Sequence, residues 1–340
     1  MQSVTLKTLV APPAGQKGWP WTVDSLDLPS RTDQTSWPAI SIVTPSFNQG
    51  RFLEATIRSV LLQDYPNLEF IIVDGGSTDN SVEIIRKYEP WLTSWTSEKD
   101  EGQSDAINKG MRRATGVLVN WLNSDDYYLP GALHKVALAY LEHGARDCAI
   151  IGKGRWVNTR GKTLFEQLPP SVKLFSVAGC GENWIPQPAS FFTRKAFWDS
   201  GGLALSLDDA MDFDLYVKLA KQVPFFRVDE CLAVALSHED AKSEARREKM
   251  LAAVRLIQFR NGYETLAMQG LESDYRRLLN FERVTAPIRN TIFYRMGKKL
   301  WSAEKTKRRR ETSGEAPQIW KQHYEKSYCN DDHKRAHGSD

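Results

Sequence analysis

The chain has 340 residues, 41% hydrophobic and 26% charged, a balance that supplies a sizeable core and excludes disorder throughout. A net charge of +3 argues against a dedicated nucleic-acid binder, which carries a strongly basic face. No apolar run approaches the ~18 residues of a membrane span, the N-terminal stretch reads as no secretory leader, and four scattered cysteines (Cys148, Cys180, Cys231, Cys329) with no CxxC pair fit a reduced, cytoplasmic setting.

Residues 1–37 mix Pro, Gly and three tryptophans (Trp19, Trp21, Trp37) without periodicity and read as an N-terminal extension able to dock on a domain. Residues 38–240 alternate strand and helix. Ile40–Val43 is a short apolar strand. Phe52–Leu62 follows with apolar residues at 53, 57, 60 and 61, which is helical spacing. Phe70–Val73 is a second strand and Ser81–Tyr88 a helix. Gln103–Ala114 is a further helix, and Val117–Leu122 a strand. Pro130 is expected to open a helix ending near His143, since proline suits a first turn. Cys148–Gly152 reads as a strand, Ile185–Pro188 as extended chain, Ala189–Thr193 as a strand and Ala210–Lys221 as a helix. Residues 241–301 form a charged helical region with helices over Ala241–Phe259 and Leu271–Phe281. It closes on a basic amphipathic stretch from Pro287 in which Ile288, Ile292, Met296 and Leu300 recur at i+4. Between Lys298 and Arg310 seven Lys or Arg stand against one Glu. Residues 302–340 are basic and polar and are expected to be disordered.

Strands that are apolar on both faces and alternate with helices predict an α/β fold around a mostly parallel sheet. Three polar clusters, Thr44 to Asn48, Asp74 to Asp79 and Asn123 to Asp126, each follow the carboxyl end of a strand. In an open α/β sheet those ends share one edge, where ligands bind.

Asn123-Ser124-Asp125-Asp126 suits either a solvated turn or a Mg²⁺ or Mn²⁺ site made of carboxylates and substrate phosphates. Its neighbouring strand ends tip the reading toward metal. Asp74 can accept from a base edge or a ribose hydroxyl, and Gly75-Gly76 let a ligand approach the backbone. A phosphatase-type nucleophile would want a second Asp at position 76, where glycine stands. No GxxxxGK[ST] loop occurs, and Gly179-Cys180-Gly181 lacks the third glycine of a dinucleotide fingerprint. On the 210–221 helix, Asp214 shares a face with Lys218 and Lys221 and is expected in solvent. Asp212 shares its face with Leu215, Tyr216 and Leu219, where partial desolvation would raise it toward base strength. A plain helix-start Asp is the competing reading. His238 fits a metal ligand or a turn.

Taken together, Thr44-Pro45-Ser46-Phe47-Asn48, Val73-Asp74-Gly75-Gly76-Ser77-Thr78-Asp79, Glu101-Gly102-Gln103-Ser104-Asp105-Ala106-Ile107-Asn108-Lys109-Gly110, Asn123-Ser124-Asp125-Asp126, Ile185-Pro186-Gln187-Pro188 and Met211-Asp212-Phe213-Asp214-Leu215 stand in the order typical of family 2 glycosyltransferases. The chain resembles that family over residues 40–238. The resemblance implies a GT-A fold and inverting transfer from a nucleotide-diphosphate sugar to an acceptor hydroxyl on a glycan or lipid-linked saccharide in surface polysaccharide synthesis. It implies a nucleoside pocket at Thr44, Pro45 and Asp74, with Asn48, Gly75 and Ser124 beside it. Gln103, Asp105 and Asn108 would lie near the donor, and Asn123 near its ribose. Asp125 with Asp126 matches the metal motif for Mn²⁺ or Mg²⁺, His238 a C-terminal metal ligand, and Asp212 the catalytic base. Asn123 replaces the first Asp of the metal motif, and Met211 an acidic residue often found before the base. Trp184 and Gln187 are candidate acceptor contacts because their segment is extended and late in the domain. Residues 287–310 suit peripheral contact with an anionic membrane from the cytoplasmic side, or equally a helix packed on the domain. The alternatives are a sugar-nucleotide nucleotidyltransferase and a non-catalytic nucleotide- or glycan-binding module.

Overall fold

Strands with apolar residues on both faces need helices above and below them. In a computed structural model, which describes residues 4–24, 37–179, 184–207, 209–238 and 247–289, the first such run forms β1 (Ile40–Ser46), buried along its whole length. In chain order follow α1 (Gly50–Leu61), β2 (Leu68–Asp74), α2 (Ser81–Tyr88), β3 (Ser94–Ser97), α3 (Gln103–Arg113), β4 (Leu118–Trp121), β5 (Tyr127–Tyr128) and α4 (Ala132–Glu142). Then come β6 (Ala149–Asn158), β7 (Thr163–Gln167), α5 (Leu174–Gly179), β8 (Ser190–Thr193), α6 (Arg194–Asp199), α7 (Met211–Ala220), β9 (Phe225–Ser237), α8 (Arg247–Arg260) and α9 (Glu264–Arg289).

One sheet holds the strands in the order β3-β2-β1-β4-β8-β6-β9-β5, with β7 added to β6. β1 to β4 run parallel, as do β6 and β9, whereas β5, β7 and β8 are antiparallel to their partners. Ile40, Leu53, Ile57, Phe70 and Val136 belong to the apolar cluster on one face. Val43, Ile107, Met111, Phe197 and Leu215 belong to that on the other. The α/β architecture read from the sequence is therefore present. Two details differ. Pro130 stands before the helix it was expected to open, because left-handed Gly131 (φ 75°) takes the N-cap. β6 runs six residues beyond Gly152, to Asn158.

Helix α7 is covered on two sides. Leu215, Tyr216 and Leu219 join the sheet-side cluster, while Phe213 and Val217 pack with Val254 and Ile257 of α8. Asp214 is accordingly buried, with Oδ2 2.5 Å from Lys218 Nζ. Its expected place in solvent is overturned, because a helical wheel groups residues by face without showing which faces neighbours cover.

The expected docking of the N-terminal extension centres on Arg58, in the last turn of α1 and fully buried. Its Nε donates to Pro20 O (3.1 Å), Nη1 to Val10 O (2.7 Å) and Tyr88 Oη (3.1 Å), and Nη2 to Trp21 O (3.4 Å). Trp19 Nε1 donates to Tyr128 O at 2.7 Å. A guanidinium does not shed its charge on burial, so it is tolerated in the interior only with such partners.

The described residues fall into two compact units, divided after Leu271. Among the described residues no helix is long and apolar enough to cross a membrane. The helix runs through Pro287 to Arg289, so Pro287 does not open one. The rest of the basic amphipathic stretch and the tail from 302 lie outside the described residues.

Candidate active site

The strand order turns at β1, which has β2 on one side and β4 on the other, and such a reversal opens a crevice at the carboxyl ends. Pairing of β1 with β4 stops at Val43↔Trp121, whereas pairing with β2 continues to Ser46↔Asp74. Val43 O still accepts from Leu122 N. The next residue on that edge is Pro45, which has no N–H to leave unpaired. Thr44 Oγ1, Ser46 Oγ and Trp121 Nε1 at these strand ends are buried with no hydrogen-bond partner among the described residues. Polar atoms so placed call for a ligand or water.

Asp74 closes β2 and is fully buried. Its Oδ2 accepts from the amides of Gly76 (3.1 Å) and Ser77 (2.9 Å) and from Ser97 Oγ (2.7 Å), and its Oδ1 from Ser77 Oγ (2.5 Å). The carboxylate thus organises the turn after β2. Asn48, left-handed at φ 53°, ties that turn to the loop after β1: its amide donates to Ser77 Oγ (2.7 Å) and its Oδ1 accepts from Thr78 N (2.8 Å). Gly75 lets the Asp100 carboxylate come close, since a Cβ there would stand 2.5 Å from Asp100 Oδ2.

A web of amides joins β4 to its neighbours. Gln103 Nε2, in the first turn of α3, donates to Asn123 Oδ1 (2.8 Å). Asn123 Nδ2 donates to Asp126 Oδ2 (3.2 Å) and Gln187 Oε1 (3.3 Å). Gln187 Nε2 donates to Trp121 O (2.8 Å). Ser124 is buried beside them. Asp126 is also buried, and Leu236 N on β9 donates to its Oδ1 at 3.2 Å. Burial, then the neighbouring Asp125 charge, pushes the Asp126 carboxyl well above the usual range.

Asp125 and His238, 113 residues apart, meet at 3.0 Å between Oδ2 and Nε2. The imidazole is buried against the Phe52 ring (centroids 4.7 Å apart), and its Nδ1 has no partner among the described residues. No group of three His, Cys, Asp or Glu able to hold a metal occurs among the described residues. A carboxylate and an imidazole side by side fit Mn²⁺ or Mg²⁺ that completes its shell with phosphate and water oxygens.

Asp212 lies in the first turn of α7, half-buried, with Oδ1 accepting from Phe213 N at 2.8 Å. Burial raises its pKa, against the pull of the helix's first amides. Two links fix this helix start. Ser104 Oγ, next to Gln103, donates to Met211 Sδ (2.9 Å). Tyr216 Oη, one turn beyond Asp212, shares a 2.6 Å hydrogen bond with Ser190 Oγ, which donates to Gln187 O (2.7 Å). The base candidate is thereby tied to both ends of the amide web.

Two expected donor residues have other partners. Asp105 accepts from Glu101 N (3.1 Å) and pairs with Lys109 (3.0 Å); desolvation opposes these contacts, yet its pKa is lowered. Asn108 is buried and clamps Leu203 by both amide atoms, Nδ2 to O (2.8 Å) and Oδ1 from N (3.1 Å). Trp184, half-buried, packs against Trp156 with centroids 5.3 Å apart.

The family model for glycosyl transferase family 2 matches residues 41–201. An uncharacterized glycosyltransferase of Mycobacterium tuberculosis is 31% identical over 187 residues, which cover 55% of this chain and 70% of that protein. The chain belongs to glycosyl transferase family 2. A putative teichuronic acid biosynthesis glycosyltransferase of Bacillus subtilis, TuaG, is 38% identical over 119 residues, 34% of this chain and 46% of its own length. S. aureus TarS 1–349, solved with UDP-GlcNAc, has a TM-score of 0.55 at 18% identity, covering 76% of this chain and 77% of that one. It shares the GT-A fold with this glycosyltransferase. Family membership sets the nucleotidyltransferase alternative aside. In this glycosyltransferase the sequence reading missed Asp100 and Ser97, which sit against Gly75 and Asp74. A carboxylate two residues before Gly102 (φ 111°), whose amide it accepts at 2.9 Å, was the available signal for the first.

Proposed function

We propose that this glycosyltransferase inverts the anomeric centre while moving a sugar from a nucleotide-diphosphate donor to a hydroxyl of a glycan or lipid-linked saccharide used in surface polysaccharide synthesis. The observation that carries the reading is the pairing of Asp125 with His238 beside the Asn123–Gln103–Gln187 web, to which Asp212 is tied through Met211 and Tyr216. UDP-GlcNAc in TarS and teichuronic acid biosynthesis in TuaG's name support the donor and the product class.

Thr44, Pro45 and Gly75 hold the nucleoside over the turn that Asp74 keeps in shape, and Asn48 fixes the loops around it. Asn123, with Ser124 and Gln103, meets the ribose. Asp105 and Asn108 keep α3 in position at the donor. Asp212 takes the proton of the acceptor hydroxyl as its oxygen attacks the anomeric carbon, and its raised pKa suits that task. Trp184 and Gln187 meet the acceptor. While the buried Asp126 is engaged by Asn123 and Leu236, Mn²⁺ or Mg²⁺ would be held by Asp125 and His238. When bound it offsets negative charge on the diphosphate. The attacking hydroxyl and the departing nucleoside diphosphate lie on opposite sides of the anomeric carbon in one displacement, so no covalent glycosyl-enzyme forms.

The test is a panel of nucleotide sugars incubated with Mn²⁺ and acceptors. Nucleoside diphosphate release with an inverted product anomer by NMR supports the reading; release of pyrophosphate or retention of configuration overturns it. We place the enzyme in the cytoplasm, at the inner membrane face through residues 287–310. Liposomes of anionic lipid should sediment the full chain and leave a chain ending at residue 286 in solution.

A further inference from the structure

A pyranose presents hydroxyls at its edge and a patch of C–H bonds on its face, and that patch matches an aromatic ring that keeps water off it. The β6–β7 hairpin carries such rings. Trp156 and Phe165 are directly opposed across the strands, with centroids 4.7 Å apart and planes 10° from parallel. Trp184 extends the row at 5.3 Å and 35°. Phe165 is 46% exposed, and both tryptophans are half-buried. Side chains alternate along a strand, so Lys153, Arg155 and Glu166 occupy the other face. That face is closed by its own pairs, Arg155–Glu166 at 2.7 Å and Lys153–Glu166 at 3.7 Å. The aromatic face therefore carries the hairpin's exposed ring surface.

This face is continuous with the site. Gly154 shares it, and a Cβ there would stand 2.5 Å from Pro186 Cβ and 3.2 Å from the Trp156 ring. Pro186 is thus seated beside Trp156, and the next residue is Gln187, which bonds Asn123. On the other side Trp156 pairs in register with Ala235 of β9, and His238 follows three residues later, about 10 Å along a strand.

We infer that Phe165 and Trp184, propped on either hand by the ring of Trp156, form a secondary acceptor subsite, where a ring face turned away from Trp156 stacks a saccharide at some distance from the hydroxyl that is glycosylated. The inference rests on the glycan acceptor proposed above and adds Trp156 and Phe165 to it. A ring face suits a saccharide better than a lipid tail, which has no face to match.

The test uses the full chain with UDP and Mn²⁺ and probes it with methyl glycosides of glucose, galactose and N-acetylglucosamine by saturation-transfer NMR. At least one glycoside should receive saturation at its axial ring protons. Phe165→Ala, which removes a half-exposed ring, and Trp184→Ala should each weaken that binding about tenfold, and Trp184→Phe should restore most of it. UDP binding by calorimetry should stay unchanged in all three variants. Absence of any glycoside signal in the wild type, or equal signal in Phe165→Ala and Trp184→Ala, overturns the subsite. So does the case in which Phe165→Ala loses only binding to anionic liposomes. Loss of UDP binding by the wild type instead strikes at the donor reading, and the glycoside signals report on the subsite independently of it.

Discussion

Asp74, in the parallel half of the sheet, has its two oxygens filled by four donors from its own turn and from β3. Asp212, on the helix before β9, accepts from the first amides of α7 and is half-buried with a raised pKa. One carboxylate is consumed in building the floor of the crevice. The other is left with capacity for a proton. The same division runs through their surroundings: the loops after β1 and β2 are cross-tied by Asn48, Ser77 and Thr78, whereas at the end of β9 His238 keeps a nitrogen without a partner among the described residues. The contrast separates residues that make the site rigid from residues that act in it.

Substitutions should expose that division. Asp212→Asn is expected to lower kcat at least ~100-fold, the scale of lost general-base help, while changing unfolding stability by less than about 0.5 kcal/mol. In the wild type, kcat should fall on acidification along a limb lying above the ordinary carboxylate value of 3.8, because a raised pKa protonates the base sooner. Near-normal turnover by Asp212→Asn removes the residue from its role. Asp125→Ala should weaken Mn²⁺-dependent UDP binding by roughly 10- to 100-fold in calorimetry and leave metal-free binding alone. Asp74→Asn should show the reverse character: about 1–3 kcal/mol less stability in denaturant titration, because buried donors lose their acceptor. If Asp74→Asn is as stable as the wild type and only nucleotide binding suffers, the floor-and-actor contrast fails. Thr44→Val is the smallest change. With no partner for its hydroxyl among the described residues, the swap should leave stability equal or higher by up to ~1 kcal/mol, and a reduced UDP affinity would identify the nucleotide as the partner.

Legibility followed the same boundary. β1, β2 and β4 are mostly apolar and almost wholly buried, so their ends, and the polar clusters after them, could be read directly. β9 could not. Arg227, Asp229 and Glu230 lie exposed along its first half, and its register against β6 slips on either side of Lys153, so neither an apolar run nor a clean alternation marks it. β7, with Leu164 and Phe165 exposed, is equally silent, which hid the pairing that brings Trp156 and Phe165 together. Asp212 was legible by its helical face, but Asp214 was misjudged because the cover that α8 lays over α7 is a tertiary fact. The meeting of Asp125 with His238 came through family resemblance, since nothing local to either residue points to the other.

The guanidinium of Arg58 has a consequence for how the molecule can be shortened. Its acceptors at Val10, Pro20 and Trp21 are backbone carbonyls of the leading segment, and an arginine cannot shed its proton to escape stranding. A chain begun at Pro38 would strip those three oxygens from a cation sunk in α1, a penalty on the order of several kcal/mol. The leading residues are in that sense a missing wall of the sugar-transferring half, and an excised catalytic core would have to carry Arg58→Met or a similar uncharged filler to stand without them.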